Sequence, residues 1–199
     1  MPVTTSTILP TDYGDFKTSF HKSSDNSGSG VSLSMGDLTL SGTLVRVHSS
    51  CLFTETFHSR LCDCELQLSK SMELIKKEGS GLIVYTYEEG RGIGLENKIA
   101  ALELERTENV DTVQAFIKLG FEPDPRDYKI AEMIISDLNV NKDIRLITNN
   151  PHKKDKLESI GFNIIERVSL DYPLSERLKK YLRVKKEKLG HIIDSSLLE

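Results

Sequence analysis

Three cysteines, Cys51 and then, after ten intervening residues, the run Cys62-Asp63-Cys64, are the only cysteines in this chain of 199 residues. Thiolates brought together in threes form a cage with one tetrahedral corner open, the coordination of a catalytic zinc whose fourth position holds a reactive water. A disulfide would strand one of the three, and buried cysteines acting as small hydrophobes would not be expected to cluster in sequence. A structural zinc would want a fourth ligand, which His48 or His58 could supply. The spacing leaves the catalytic and the structural metal both open.

Three further segments carry groups suited to anions. Glu89-Gly90-Arg91-Gly92-Ile93-Gly94 falls between an apolar strand and a helical pattern. Its glycines let backbone approach a ligand, the helix start favours an anion, and Arg91 can grip phosphate with two nitrogens. Thr148-Asn149-Asn150-Pro151-His152-Lys153 repeats the layout of strand end, polar turn and helix start. Lysines in that first turn oppose the helix dipole, which makes sense if an anion sits between. In Asp124-Pro125-Arg126-Asp127 the prolines stiffen a carboxylate beside a guanidinium, a pair able to move a proton or hold a phosphate. Each has a plainer reading as a tight turn, an Asn-Pro turn or a capped helix start. A hydrolytic metal together with several phosphate-suited turns points to a nucleotide whose ring is attacked.

The elements that must position these groups alternate between α and β. Residues 1–12 are polar and read as a flexible segment, followed by a strand over Tyr13–Lys22. The Ser- and Gly-rich stretch Ser23–Ser34 reads as a long loop or hairpin tip. Leu38–His48 reads as strand with a turn or bulge at Gly42, and the cysteine segment as the loop after it. Helical spacing then covers Leu66–Glu78, Leu95–Glu108, a short helix capped by Asp111 and ending at Gly120, Asp127–Leu138, a helix opened by Asn150-Pro151, and Leu174–Leu189. Gly81–Tyr87, Ile144–Thr148 and Asn163–Val168 read as strands. The fold class is therefore mixed α/β, a single compact domain with a mixed sheet flanked by helices.

This length can bury a core without staples. A net charge of −4 gives no electrostatic footprint for nucleic acid. No apolar run is long enough to span a bilayer, and the first residues lack the pattern of a signal peptide. A reducing cytoplasm is the expected location, where the thiols stay available for metal.

Taken in order, Arg46-Val47-His48-Ser49, the cysteine pattern, Gln67, Glu89-Gly90-Arg91-x-Ile93-Gly94-Leu95-x-x-Lys98, Asp111-Thr112, Leu119-Gly120-Phe121, Asp124-x-Arg126-Asp127, Thr148-Asn149-Asn150-Pro151-x-Lys153 and the closing Lys188-Leu189-Gly190-His191 resemble the GTP cyclohydrolase II family of riboflavin biosynthesis. The resemblance runs from about Leu9 to His191 and frames a domain over 13–193 with a tail at 194–199. It implies a Zn2+ on Cys51, Cys62 and Cys64 that activates water against C8 of guanine, release of formate, Mg2+ escorting the triphosphate, loss of pyrophosphate, and a homodimer. It implies catalytic roles for Arg126, as nucleophile toward the α-phosphate, and for Asp124, as proton acceptor. A guanidinium is almost always protonated, so Arg126 would need Asp124 to take its proton or would act by charge alone. Nucleotide contacts are implied at Arg46, Val47, His48, Ser49, Ser50, Gln67, Glu89, Gly90, Arg91, Thr112, Thr148 and Lys153.

The sequence also departs from that pattern. Ser50 stands where the family has a glutamate, Leu102 where it has a tyrosine, and Phe116 where it has an asparagine. Leucine cannot donate the hydrogen bond a phenol can. A ring opening arrested at a formamidopyrimidine nucleotide, or a nucleotide binder without turnover, are the alternatives to the full reaction.

Overall fold

The computed structural model describes residues 5–25, 28–170 and 172–198. Its strands are β1 (Thr5–Thr11), β2 (Gly14–Lys22), β3 (Ser29–Met35), β4 (Thr43–Ser49), β5 (Gly81–Thr86), β6 (Asp143–Ile147) and β7 (Asn163–Val168). The helices are α1 (Leu52–Glu55), α2 (Cys64–Glu78), α3 (Gly94–Glu108), α4 (Thr112–Lys118), α5 (Lys129–Asp137), α6 (Pro151–Ser159) and α7 (Glu176–Leu189), with 3-10 turns at Glu89–Gly92 and Ser195–Leu198. The chain divides into two compact units. The first comprises Met1–His48, Leu66–Tyr87 and Tyr128–Asp171, and the second Ser49–Glu65, Glu88–Asp127 and Tyr172–Glu199.

The strands form one mixed sheet in the order β1-β2-β3-β5-β4-β6-β7, as the α/β reading of the sequence expects. β1, β2, β3 and β5 pair antiparallel in turn. β4, β6 and β7 pair parallel. Alternate residues of the central strands supply two cores, because successive side chains of a strand face opposite ways. Val45, Val47, Leu82, Val84, Ile144 and Leu146 pack with Ala131, Ile134 and Ile135 of α5 and Leu157 of α6. Leu44, Ile83 and Ile147 pack with Phe16 and with Met72 and Ile75 of α2. The parallel strands β4 and β6 thus end side by side, with α2 on one face and α5 and α6 on the other. That edge is where open α/β sheets commonly present ligand-binding loops.

Two local expectations are revised. The polar start of the chain, expected to be flexible, forms β1, in register with β2 from Thr5 opposite Phe20 to Thr11 opposite Gly14; residues 1–4 lie outside the described residues. Its side chains are almost all exposed, so the strand is held by backbone pairing and shows no apolar alternation. The stretch 23–34 is loop only as far as Gly28, residues 26 and 27 lying outside the described set; β3 then begins at Ser29. Gly30 can enter that strand because a Cβ there would sit 2.7 Å from the Tyr85 carbonyl and 2.9 Å from the Ile134 side chain.

In the second unit, α4 starts on the Asp111 cap expected from sequence. Its carboxylate accepts from the Val113 and Gln114 amides at 2.9 and 3.1 Å, and the Gln114 side chain closes the capping box. Ile93, Ala101, Ala115 and Phe116 form one small core. Leu182, Ile193 and Leu198 form another around α7. Among the described residues no helix is long and apolar enough to cross a membrane.

Truncating Ile134, fully buried between α5 and the sheet, to alanine is expected to lower stability by about 2–5 kcal/mol, read by urea unfolding. His21 on β2 is also buried, with Nε2 2.9 Å from the Ser32 hydroxyl. Burial, partly opposed by Asp137, holds its pKa below the ordinary 6.5. The unfolded chain therefore binds this proton more readily than the folded one. Stability should decline as pH falls through 6.5, and unfolding curves of His21→Gln should show a shallower decline.

Candidate functional site

The second unit gathers the three cysteines. Cys51 ends the segment after β4, while Cys62 and Cys64 flank Asp63, with Cys64 the first residue of α2. Their sulfurs all lie within 4.8 Å of one another, at 3.5 Å for Cys51–Cys62 and 3.4 Å for Cys62–Cys64. Sulfurs bound to one tetrahedral zinc would stand about 3.8 Å apart, given Zn–S bonds of about 2.3 Å. Donor type and spacing fit such an ion. Hydrogen bonds from Cys62 and Cys64 hold the Cys51 thiol far below its ordinary range. The same bonds to Cys51 push Cys62 and Cys64 above theirs. A cation held by sulfurs this close would take the place of their protons. Among the described residues the cluster is made of these three sulfurs; His58, in the same unit, is exposed.

A lysine stands beside this cage. Lys98 of α3 reaches the Cys51 sulfur at 3.1 Å and pairs with the Glu89 carboxylate. Burial disfavours its charge, but Glu89 and Cys51 outweigh that and hold its pKa above the usual lysine range. Glu89 also accepts from the Leu52 amide at 2.8 Å, so the turn Glu89–Gly92 is fastened to the start of α1. Within that turn Gly90 and Arg91 both adopt left-handed backbone, with φ of 62° and 58°. A non-glycine residue in that region is uncommon, and here the side chain is anchored. The Arg91 guanidinium donates to the Pro123 carbonyl at 3.0 Å and to the Thr112 hydroxyl at 3.3 Å. It also lies 4.8 Å from the Phe116 ring centre.

Arg91 thereby steadies the residue before Asp124. Asp124 and Arg126 face each other as a two-point ion pair, at 2.7 Å to Nε and 2.6 Å to Nη2. The remaining terminal nitrogen of Arg126 donates to Ser49 at 3.2 Å. Both side chains are mostly buried, so the pair is fixed in orientation and poorly screened. Ser50 is half-buried on the way to Cys51.

The first unit gathers the remaining candidates at the ends of β4 and β6. Arg46, buried, donates to the Ile147 carbonyl at 3.1 Å, hydrogen-bonds Gln67 of α2 and approaches His48 Nδ1 at 3.4 Å. His48 stacks on Tyr85, ring centres 5.6 Å apart. Lys153 of α6 is buried as well and donates to the Val47 carbonyl at 2.7 Å. The Thr148 hydroxyl accepts from the Asn150 amide at 3.0 Å, which shapes the turn into α6. Arg46, on β4, thus reaches the last carbonyl of β6, and Lys153 reaches β4 from α6.

Other contacts escaped the sequence reading. Lys98 stood in the quoted motif without a site role. Asp63, fully buried, accepts from Tyr172 at 2.6 Å and from Lys185 of α7 at 3.3 Å. Burial works against the Lys185 charge, yet Asp63 holds its pKa above the ordinary value. A carboxylate locked between two ligand cysteines was the available signal for Asp63. Nothing in the sequence pairs it with residues more than a hundred positions away.

Comparison with known proteins bears on this arrangement. The family model for GTP cyclohydrolase II matches residues 3–169. A protein named GTP cyclohydrolase-2 from Buchnera aphidicola is 45% identical over 187 residues, covering 94% of this chain and 95% of its own length. Riboflavin biosynthesis protein RibBA from Chlorobium phaeovibrioides is 44% identical over 189 residues, covering 94% of this chain and 46% of that protein. RibBA from Aquifex aeolicus is 46% identical over 186 residues, covering 92% and 45%. The chain therefore spans about half the length of these RibBA relatives.

The cage geometry makes its own prediction. Purified chain should take up one zinc per molecule, and Cys51→Ser or Cys62→Ser should reduce retained metal to a small fraction after dialysis against a chelator, measured by elemental analysis.

Proposed function

The chain belongs to the GTP cyclohydrolase II family, and from that premise we propose that it hydrolyses GTP. The imidazole ring of guanine opens at C8, with formate and pyrophosphate released and a diaminopyrimidine ribosyl phosphate left. The observation that carries this reading is the convergence of three cysteine sulfurs in the same unit as the buried Asp124–Arg126 pair. A zinc held by Cys51, Cys62 and Cys64 would supply the Lewis acidity that makes water a nucleophile near neutral pH.

The chain's own residues do the rest. Lys98 offsets the negative charge of the sulfurs and orients Cys51. Glu89 holds the turn carrying Gly90 and Arg91 against α1. Arg126 stabilises negative charge on the α-phosphate as water displaces pyrophosphate, and Asp124 fixes the guanidinium plane and accepts the proton that water loses. Arg91 and Thr112 hold the Pro123–Arg126 segment at the height this requires. In the first unit, Arg46, Val47, His48, Gln67, Thr148 and Lys153 line the strand ends that receive the nucleotide, with Mg2+ accompanying the triphosphate. Ser49 and Ser50 carry the chain from that edge to Cys51. The same reading makes the protein a homodimer of the reducing cytoplasm, acting on a free nucleotide without nucleic acid or membrane.

A second outcome is favoured by one observation. Leu102, a half-buried leucine of α3, occupies the family's tyrosine position and cannot donate a proton or hydrogen bond. The reaction would then stop at a formamidopyrimidine nucleotide.

Zinc-loaded protein incubated with GTP and Mg2+ is expected to yield formate and pyrophosphate in equal amounts. Pyrophosphate without formate marks the arrested reaction, and tight GTP binding with neither product refutes turnover. Arg126→Lys, which cannot make the two-point contact, should lower kcat by about 10²–10³.

A further inference from the structure

On α7 the buried positions are Leu178, Leu182 and Lys185, one face at helical spacing with a lysine where a third apolar residue would fit. Burying an ammonium there is costly unless a specific acceptor compensates it. The acceptor is Asp63, itself fully buried, set between two cysteines whose thiolates would repel its charge. Tyr172 donates to its second oxygen at 2.6 Å, and Lys185 approaches the first at 3.3 Å. The Tyr181 ring, one turn before Lys185, lies 4.4 Å from the ammonium. Tyr172 and Lys185 both fall after residue 169, where the family match ends.

We propose that the C-terminal segment is a working part of the metal centre: Tyr172 and Lys185 clamp Asp63 and so hold Cys62 and Cys64 at ligating distance. This rests on the metal reading above. Three thiolates around a divalent ion leave net negative charge, and Asp63 adds more. Lys185 offsets the charge of Asp63, and Lys98, shared with Glu89, stands beside Cys51, which favours retention of the ion. Lys185 and Tyr172 are positioning residues that act through Asp63 on the sulfurs. Outer contacts of this kind commonly alter metal affinity by about 10–100-fold when removed.

The test uses the full chain and zinc competition against a chromophoric chelator, with the charge-transfer spectrum of the cobalt-loaded form as a second readout. Lys185→Met should weaken zinc binding by about 10–100-fold and perturb the cobalt–thiolate bands. Lys185→Arg should recover most of the loss. Tyr172→Phe, which removes one hydroxyl and keeps the helix packed, should shift affinity in the same direction, so the test survives if Lys185→Met fails to fold. Leu182→Ala, a packing loss on the same face, should leave the cobalt spectrum unchanged. The proposal is overturned if Lys185→Met and Tyr172→Phe hold zinc within about two-fold of the unaltered chain, or if Leu182→Ala weakens binding as much as they do. An unaltered chain that takes up no zinc would instead sink the metal reading itself.

Discussion

The crowding of three cysteine sulfurs is the constraint around which this part of the second unit is organised. Three thiols within 4.8 Å can all ionise only if positive charge is brought to them. The chain answers with Lys98 on Cys51 and with Lys185 on Asp63. Each lysine is buried enough to lose hydration and is compensated by a carboxylate, Glu89 or Asp63. Buried ion pairs of this sort add little net stability. Their use here is orientation: Glu89 ties the 3-10 turn to α1, and Asp63 ties the Cys62–Cys64 segment to α7.

The first unit places cations at the end of a sheet. Arg46 and Lys153 hydrogen-bond main-chain carbonyls of Ile147 and Val47, so their positions follow from strand geometry. Because β4 and β6 run parallel, two strand ends meet at one edge, with Ser49 the last residue of β4 and Thr148 the first after β6. Arg126 and Asp124 show another arrangement in the second unit, where the two side chains pair with each other and a terminal nitrogen of Arg126 donates to Ser49.

What could be read from sequence depended on how local the signal was. The Asp111 capping box lies within four residues, and α4 begins where it says. The cysteine cage was legible because residue type and spacing name their own chemistry. β1 was not, since an edge strand with exposed polar side chains carries no periodicity and is held by its neighbour. Arg91 reads from sequence as a free phosphate ligand, yet two of its contacts, Pro123 and Thr112, lie 32 and 21 residues away. Lys153 reads as a lysine facing an anion at a helix start, and in the structure it is buried and donates to the Val47 carbonyl. Lys185 looks like one more charge on a polar helix until its acceptor, 122 residues earlier, is in place.

The sheet order has a consequence for how such a chain comes into being. β1, β2 and β3 are neighbours in sequence and form a meander that closes over short loops. The edge holding Arg46, Val47 and Thr148 needs β4 to meet β6, joining segments about a hundred residues apart, and local pairing cannot supply it. A polypeptide that has emerged only as far as β5 could already zip up its antiparallel half. It would still lack the paired ends of β4 and β6, because the strand that completes them has yet to be synthesised.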